Sequence, residues 1–136
     1  MNFDTCLKEG NAKKVPVNKA LTKSLITSSK QAIETAKSIS LIESSMKSIL
    51  RELYEGLREY CEAIILLQGY KILDHISITY FLKDILKEDK LSERFDRFRK
   101  LRNGVNYYGN DLNKATVEDA LKEVPKIIKE LEKYAK

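Results

Sequence analysis

The segment MKSILRELYEGLREYCEAIILL, residues 46–67, carries the strongest periodic pattern in the sequence. Its apolar side chains recur at alternating steps of four and three residues, which is the spacing of one face of an α-helix. This face comprises Met46, Leu50, Leu53, Leu57, Tyr60, Ile64 and Leu67. A second stripe through Ile49, Ile65 and Leu66 widens the apolar face toward the C-terminal half. We therefore predict a long helix that ends at Gly69 and whose second half is the most buried part of the domain.

Four further segments have helical patterns, which brings the predicted number of helices to five. They begin near Asn18, Asp74, Leu91 and Thr116. Asn18 and Asp74 are candidate N-caps, and the Thr-Val-Glu-Asp sequence of residues 116–119 has the spacing of a capping box. Pro125 predicts a kink in the last helix or a separate first turn. We thus predict an all-α fold, a five-helix up-and-down bundle with short connections.

The segments outside these helices have weaker patterns. The alternation of Ile76, Ile78 and Tyr80 fits a strand as well as a helix, but the surrounding helices and the lack of an evident partner strand favour a helix. Residues 70–74 are predicted to form a turn. Residues 1–15 mix charges without a clean period, so we predict an N-terminal extension at 1–15 followed by a helical domain at 16–136.

The composition excludes several classes of protein. A chain of 136 residues with 43% apolar and 33% charged residues suits one packed domain. Cys6 and Cys61 do not form a disulfide framework, and Cys61, on the apolar stripe, is predicted to be a small buried hydrophobe. One histidine excludes two-histidine catalysis, and no phosphate loop, zinc or EF-hand spacing occurs, so we expect no metal and no cofactor. The longest apolar run, residues 63–67, is too short to cross a membrane, and no signal segment is evident, so we expect a cytoplasmic protein.

The positive charge is concentrated in two places. The formal net charge is +5, and residues 1–40 carry seven lysines against three acids. Residues 91–110 carry five basic side chains against two acids. An arginine cluster of this kind is typical of phosphate recognition, and a lysine-rich N-terminal arm adds nonspecific attraction for nucleic acid. A solvated helix face with local ion pairs would have the same composition.

The helix predicted over residues 91–108 places polar side chains beside its apolar stripe. Arg99, Arg102, Asn103 and Asn106 form a contiguous strip at the edge of that stripe, where side chains can line a cleft. Gly104 costs this helix about 1 kcal/mol relative to alanine, a cost that often accompanies close approach of another backbone. The same residues are also consistent with a core border and a frayed helix end.

Residues 102–109, Arg-Asn-Gly-Val-Asn-Tyr-Tyr-Gly, resemble the signature helix of the HEPN (higher eukaryotes and prokaryotes nucleotide-binding) family. The family motif is an arginine, commonly a polar residue after it, a few variable positions and a histidine. Residues 54–63, followed by Gly69-Tyr70-Lys71 and His75, are similar to the long second helix and the following turn of prokaryotic members. The resemblance extends from about Pro16 to the C-terminus.

The resemblance implies an α-helical bundle that dimerises, with the arginine–histidine helices of two subunits facing each other across a basic cleft. Many members of the family are metal-independent RNases, and many prokaryotic ones are toxins encoded beside a minimal nucleotidyltransferase antitoxin. In catalytic members the arginine stabilises phosphate charge and the histidine acts as general acid or base at the 2′-hydroxyl.

The sequence departs from the family motif at the histidine. Arg102 and Asn103 match the motif, but Tyr107 stands where the histidine is expected, and a tyrosine with an ordinary pKa near 10 is a poor general base. His75 lies in a different segment and is interpreted as a helix-start or packing residue.

These residues are consistent with three alternative functions. The first is an RNA- or nucleotide-binding homodimer with weak or no RNase activity; its contact residues would be Arg99, Arg102, Asn103, Asn106 and Tyr107. The second is a metal-independent RNase toxin with a nucleotidyltransferase antitoxin as partner, in which Arg102 and Tyr107 are the catalytic candidates. The third is a helical protein–protein assembly module.

Overall fold

The computed structural model describes residues 1–108 and 112–136, and for residues 106–108 it describes the backbone alone. Within these ranges there are six α-helices: α1 (Phe3–Glu9), α2 (Lys19–Ser38), α3 (Met46–Leu67), α4 (Ile76–Asp84), α5 (Asp89–Tyr108) and α6 (Lys114–Leu131). Two short strands, β1 (Ala12–Lys14) and β2 (Tyr70–Ile72), and 3₁₀ turns at Glu43–Ser45 and Glu132–Tyr134 complete the secondary structure of this part of the chain. The predicted all-α class is confirmed, whereas the predicted count of five helices is too low because it lacks α1.

The helix predicted from the strongest periodic pattern is the centre of the fold. α3 packs against α2 along much of its length and also contacts α4, α5, α6 and β2. Leu53, Leu57 and Ile64 are completely buried. Gly69 follows the end of α3 with a φ of +84°, a left-handed conformation that favours glycine. The prediction for this helix is confirmed.

α2 and α3 approach each other closely at Gly56. The Ser29 hydroxyl on α2 donates a 2.6 Å hydrogen bond to the Gly56 carbonyl oxygen. A Cβ on Gly56 would lie 2.8 Å from Cδ1 of Ile33 and 3.0 Å from the carbonyl oxygen of Ser29. The absence of a side chain at Gly56 therefore sets the distance between the two helices.

The N-terminal residues belong to the core. Phe3 and Cys6 of α1 are each 1% exposed, and the Phe3 ring packs edge-on against Tyr70 and Phe81 at centroid distances of 5.3 and 5.5 Å. The backbone amide of Phe3 donates a 2.8 Å hydrogen bond to the Asp84 carboxylate at the end of α4. The structure of residues 1–15 thus differs from the extension without regular structure that the pattern predicts, because a seven-residue helix is too short to display a helical period in the sequence.

The sequence pattern also does not predict the two-stranded antiparallel sheet. β1 pairs with β2, with Ala12 opposite Ile72, and both of these side chains are buried. Residues 70–74 are therefore not simply a turn, since the first three form β2. Ile76, Ile78 and Tyr80 lie in α4, which confirms the preference for a helix there.

The predicted helix boundaries are correct at two N-termini and wrong at a third. Asn18 and Asp74 accept hydrogen bonds from backbone amides in the first turns of α2 and α4. α6, however, is capped by Asn113, whose side chain accepts a 2.8 Å hydrogen bond from the Thr116 amide. α6 continues through Pro125 as one helix. In the described ranges, no helix has the length and apolar character that crossing a membrane requires.

Candidate functional site

Arg102 and the one histidine of the chain both contact Tyr54. Tyr54, on α3, is 1% exposed, and its hydroxyl oxygen lies 3.0 Å from Nδ1 of His75. The Arg102 guanidinium carbon lies 5.5 Å from the centroid of the Tyr54 ring, within the range of a cation–π interaction. Three separate parts of the sequence therefore meet here. We call Tyr54, Arg58, His75 and Arg102 the Tyr54 cluster.

The local structure explains why these side chains converge. Tyr54 and Arg58 are one helical turn apart, so they project from the same flank of α3. His75 directly precedes α4, where the Asp74 carboxylate accepts hydrogen bonds from the amide and the hydroxyl of Ser77. These contacts fix the backbone at the start of α4 and with it the position of the imidazole.

Arg58 brings a half-buried positive charge to the cluster. Its side chain is 18% exposed and forms ion pairs with Glu55 and Glu62, one turn before and one turn after it on α3. These carboxylates compensate the charge of Arg58 and hold its guanidinium in place. Because these ion pairs hold Arg58 in place, its positive charge is a fixed feature of the Tyr54 cluster.

The environment keeps both His75 and Tyr54 neutral near pH 7. Burial lowers the pKa of His75, and the charges of Arg58 and Arg102 lower it further. Burial also raises the pKa of the Tyr54 phenol well above its usual range. The phenol donates to Nδ1 when the imidazole proton lies on Nε2, and it accepts from Nδ1–H when the proton lies on Nδ1.

This arrangement offers hydrogen-bond donors and a positive charge to a ligand. With the imidazole proton on Nε2, His75 and the guanidinium of Arg102 are both donors, which is what a phosphate oxygen requires. In that tautomer the ring has no further nitrogen that can accept a proton, because Nδ1 accepts from the Tyr54 hydroxyl. The geometry of the cluster thus suits anion binding better than proton abstraction.

Arg99, one of the predicted contact residues, is held by a carboxylate. Its Nε donates a 2.7 Å hydrogen bond to Asp96, and its side chain is 13% exposed. Asp96 also accepts a 3.0 Å hydrogen bond from the Thr79 hydroxyl and pairs with Lys100 at 3.2 Å. Burial alone would raise the pKa of Asp96, but the hydrogen bonds from Arg99, Lys100 and Thr79 outweigh it and hold that pKa below its usual range. Arg99 and Asp96 therefore help to fasten α5 to α4.

Two other arginines of α5 are paired in the same way. Arg94 contacts Glu123 at 3.5 Å and Glu130 at 2.6 Å, and Arg97 contacts Asp119 at 2.8 Å. All three acids are on α6. These pairs correspond to the solvated, ion-paired helix face that the composition also allowed.

The structure describes the side chains of only some of the remaining predicted site residues. Arg102 and Asn103 are half-buried, and an Nη1–H of Arg102 donates a 3.4 Å hydrogen bond to the Asn103 side chain. Asn106 and Tyr107 lie on α5, but their side chains are outside the described part of the structure. The structure thus brings Arg102 and Asn103 to the Tyr54 cluster, whereas the roles predicted for Asn106 and Tyr107 stay predictions.

No pattern in the sequence connects Tyr54, Arg58 or His75 with Arg102. Tyr54 and Arg58 follow a helical flank, and His75 is the one histidine, yet no spacing in the sequence relates positions on α3 to positions on α5. Among the described residues, no group of three or more His, Cys, Asp and Glu side chains is arranged to hold a metal ion. Burial of Cys61 is confirmed, and it raises the pKa of the thiol to about 12, so this cysteine is a packing residue.

Comparisons with known proteins add no relative from which a role can be transferred. The sequence matches no family model, and neither the comparison with curated proteins nor that with solved structures finds a significant match. Inference about function therefore starts from the Tyr54 cluster and from the motif of residues 102–109.

Proposed function

We propose that this protein is a HEPN-like RNA- or nucleotide-binding protein that holds a phosphate group of its ligand with Arg102 and His75. The observation that supports this proposal best is the convergence of the two residues on Tyr54, with the hydroxyl oxygen 3.0 Å from His75 and the ring centroid 5.5 Å from the Arg102 guanidinium. Charge-assisted hydrogen bonds of a guanidinium to phosphate are about twice as strong as neutral ones. Asn103, adjacent to Arg102, is the further contact residue we assign.

The protonation state of His75 supports binding with weak or no RNase activity. A general base at the 2′-hydroxyl needs an unprotonated nitrogen within hydrogen-bond reach of the substrate. In the tautomer that we assign to the binding state, with the imidazole proton on Nε2, the unprotonated Nδ1 accepts from the Tyr54 hydroxyl. The lowered pKa of His75 also leaves little imidazolium at neutral pH to act as general acid. Homodimerisation, with the Arg102 helices of two subunits facing each other, is part of this proposal and derives from the family resemblance.

A metal-independent RNase is the second candidate, because Arg102 shares the Tyr54 cluster with a histidine, His75, although the motif position itself holds Tyr107. If the imidazole changes tautomer on substrate binding, Nε2 becomes a base beside the Arg102 guanidinium. In this version the protein would be a toxin, and a nucleotidyltransferase would be its antitoxin partner.

A binding and cleavage assay on the full chain tests both candidates. End-labelled RNA is incubated with the protein in the presence of a metal chelator and analysed by gel shift and by denaturing gel. Arg102→Ala is compared with Arg97→Ala, which removes an exposed arginine that is ion-paired with Asp119 on the same helix. Loss of one charge-assisted hydrogen bond corresponds to roughly tenfold weaker binding or more, so we expect a weaker shift for Arg102→Ala and a wild-type shift for Arg97→Ala.

The outcomes separate the candidates clearly. Cleavage by the wild type that His75→Gln and Arg102→Ala abolish would replace the binding proposal by the RNase candidate. Binding that is equally strong in wild type and Arg102→Ala would overturn the role of the Tyr54 cluster. Absence of both binding and cleavage would refute both candidates and leave the protein–protein assembly module.

A further inference from the structure

The exposed side of α2 carries a row of four lysines: Lys19, Lys23, Lys30 and Lys37. At roughly 100° per residue, the four positions fall within a sector of about 40° around the helix axis. All four side chains are exposed. At 1.5 Å per residue the row is roughly 27 Å long. We call these four residues the lysine row.

The charge of the lysine row is not compensated by neighbouring acids. In the described part of the chain, none of its four amino groups forms an ion pair, although Lys8, Lys100 and Lys114 each pair with an acid one helical turn away. The one acid of α2, Glu34, lies one helical turn from Lys30 and from Lys37, and it forms an ion pair with neither. Over residues 12–38, six lysines and one glutamate leave a charge of +5, equal to the formal net charge of the whole chain. The excess positive charge of the protein is thus concentrated along this helix and the strand before it.

The lysine row and the Tyr54 cluster lie on different sides of α3. α2 packs on the Gly56 face of α3, where the Ser29 hydroxyl bonds the Gly56 carbonyl. Tyr54 lies two residues before Gly56, and Arg58 lies two residues after it. Each of the two positions is therefore roughly 200° around the helix axis from Gly56. The lysine row is therefore a second surface, and its role does not depend on the Tyr54 cluster.

We propose that the lysine row binds the phosphate backbone of a nucleic acid without sequence preference. Lysine is a flexible point charge that contacts phosphates without the planar fork of arginine, which suits binding independent of sequence. A row roughly 27 Å long is much longer than one mononucleotide, so a polymer is needed to contact all four amino groups.

Two other kinds of partner fit the lysine row less well. Protein interfaces are depleted of lysine, and α2 contains neither an aromatic residue nor an arginine. A helix that binds a membrane surface inserts its apolar face, but α2 buries Ala32, Ile33 and Ala36 of this face against α3 and leaves one leucine, Leu21, exposed. A polymer of regularly spaced phosphates needs neither an apolar face nor a shaped pocket.

The test compares two variants of the full chain that lose the same charge at different places. One replaces the four residues of the lysine row by glutamine. The control makes the same replacement at Lys83, Lys90, Lys122 and Lys129, which are exposed, lie outside the row and form no ion pair within the described residues. Binding of a fluorescent single-stranded RNA, and of DNA of the same sequence, is measured by anisotropy over a series of salt concentrations. Thermal melts monitored by circular dichroism verify that both variants are folded.

The salt dependence of binding is the decisive quantity. Each phosphate contact on a single strand contributes about 0.7 to the slope of log K against log salt concentration, so loss of four contacts lowers the slope by about 3. We expect this loss, with at least tenfold weaker binding, for the lysine-row variant, and a slope near that of the wild type for the control. RNA and DNA are expected to bind alike.

Equal slopes for the two glutamine variants would overturn the proposal. Binding of phosphatidylserine vesicles that depends on the lysine row, with nucleic-acid binding unchanged, would replace it by a membrane surface. Arg102→Ala, measured in parallel, keeps the two proposals distinguishable. If only the lysine-row variant loses binding, the row is supported and the Tyr54 cluster is not; if only Arg102→Ala does, the reverse holds.

Discussion

Replacement of Gly56 by alanine tests the close approach of α2 and α3. An alanine in a helix interior is about 1 kcal/mol more favourable than glycine, so on propensity alone Gly56→Ala would stabilise the protein. The new methyl group would, however, lie 2.8 Å from Cδ1 of Ile33 and 3.0 Å from the backbone oxygen of Ser29. Ile33 can change rotamer, but the Ser29 carbonyl moves only if α2 moves.

The balance of these effects predicts destabilisation. Overpacking of a well-packed contact costs about 1–3 kcal/mol. Displacement of α2 also weakens the 2.6 Å hydrogen bond from Ser29 to Gly56, which contributes about 1 kcal/mol. After subtraction of the gain in helix propensity, the free energy of unfolding of Gly56→Ala should be about 1–3 kcal/mol lower than that of the wild type.

Urea denaturation monitored by circular dichroism measures this difference. We expect a lower midpoint with an unchanged slope. The control is Gly56→Ala combined with Ile33→Val, which removes Cδ1; the double variant should be more stable than the sum of the single effects predicts. A Gly56→Ala protein about 1 kcal/mol more stable than the wild type would show that helix propensity dominates and that α2 and α3 are not packed as described.

Three further predictions concern contacts outside the α2–α3 interface. Because burial lowers the pKa of His75 below its ordinary value of 6.5, the unfolded chain binds this proton more readily than the folded one. The free energy of unfolding of the wild type should therefore fall as the pH drops through 6.5 and level off below the lowered pKa of His75. Urea denaturation at several pH values measures this fall. The His75→Gln variant should not show it between the two pKa values. Asp84→Ala removes the acceptor of the Phe3 amide and should cost about 1–2 kcal/mol. Relative to the wild type, its hydrogen exchange should increase more in α1 than in α3, and an equal increase in both helices would contradict the anchoring of α1 by Asp84. Tyr134→Phe removes the hydrogen bond from the Tyr134 hydroxyl to Glu88 and should lower the free energy of unfolding by about 1 kcal/mol in urea, and an unchanged value would show that this contact is not maintained in solution.

The sequence predicts the central part of this fold because its signals are local. α3 has an apolar face that repeats over 22 residues, and its end is marked by Gly69. Asn18 is an effective cap because its side chain reaches amides only a few residues away. Such features depend on neighbours within the same helix, so periodicity and cap chemistry identify them.

The N-terminal part of the fold could not be predicted from the same signals. α1 has seven residues and β1 has three, which is too few for a period to appear. Phe3 is buried because Tyr70 and Phe81 lie against it, and Ala12 is buried because it pairs with Ile72. These partners are far apart in the sequence, and only the tertiary fold brings them together.

The same distinction between local and tertiary features applies to the residues of the candidate site. Arg102 and Asn103 were identified because they lie within one short motif. The role of Arg99 was predictable in principle, since Asp96 is three residues before it and such pairs meet on a helix surface. Tyr54 and His75 join Arg102 only through the packing of α3, α4 and α5, which no spacing in the sequence encodes.

The titration of His75 by NMR tests the central claim most directly. Because the chain has one histidine, its imidazole C2 proton gives a single, assignable signal whose shift reports the pKa. A phosphate held by Arg102 and His75 brings negative charge to the imidazole and favours its protonated form, so the pKa of His75 should rise when RNA or a nucleoside monophosphate binds, and Arg102→Ala should abolish the rise. Binding of RNA with the pKa and the chemical shift of His75 unchanged would contradict the account.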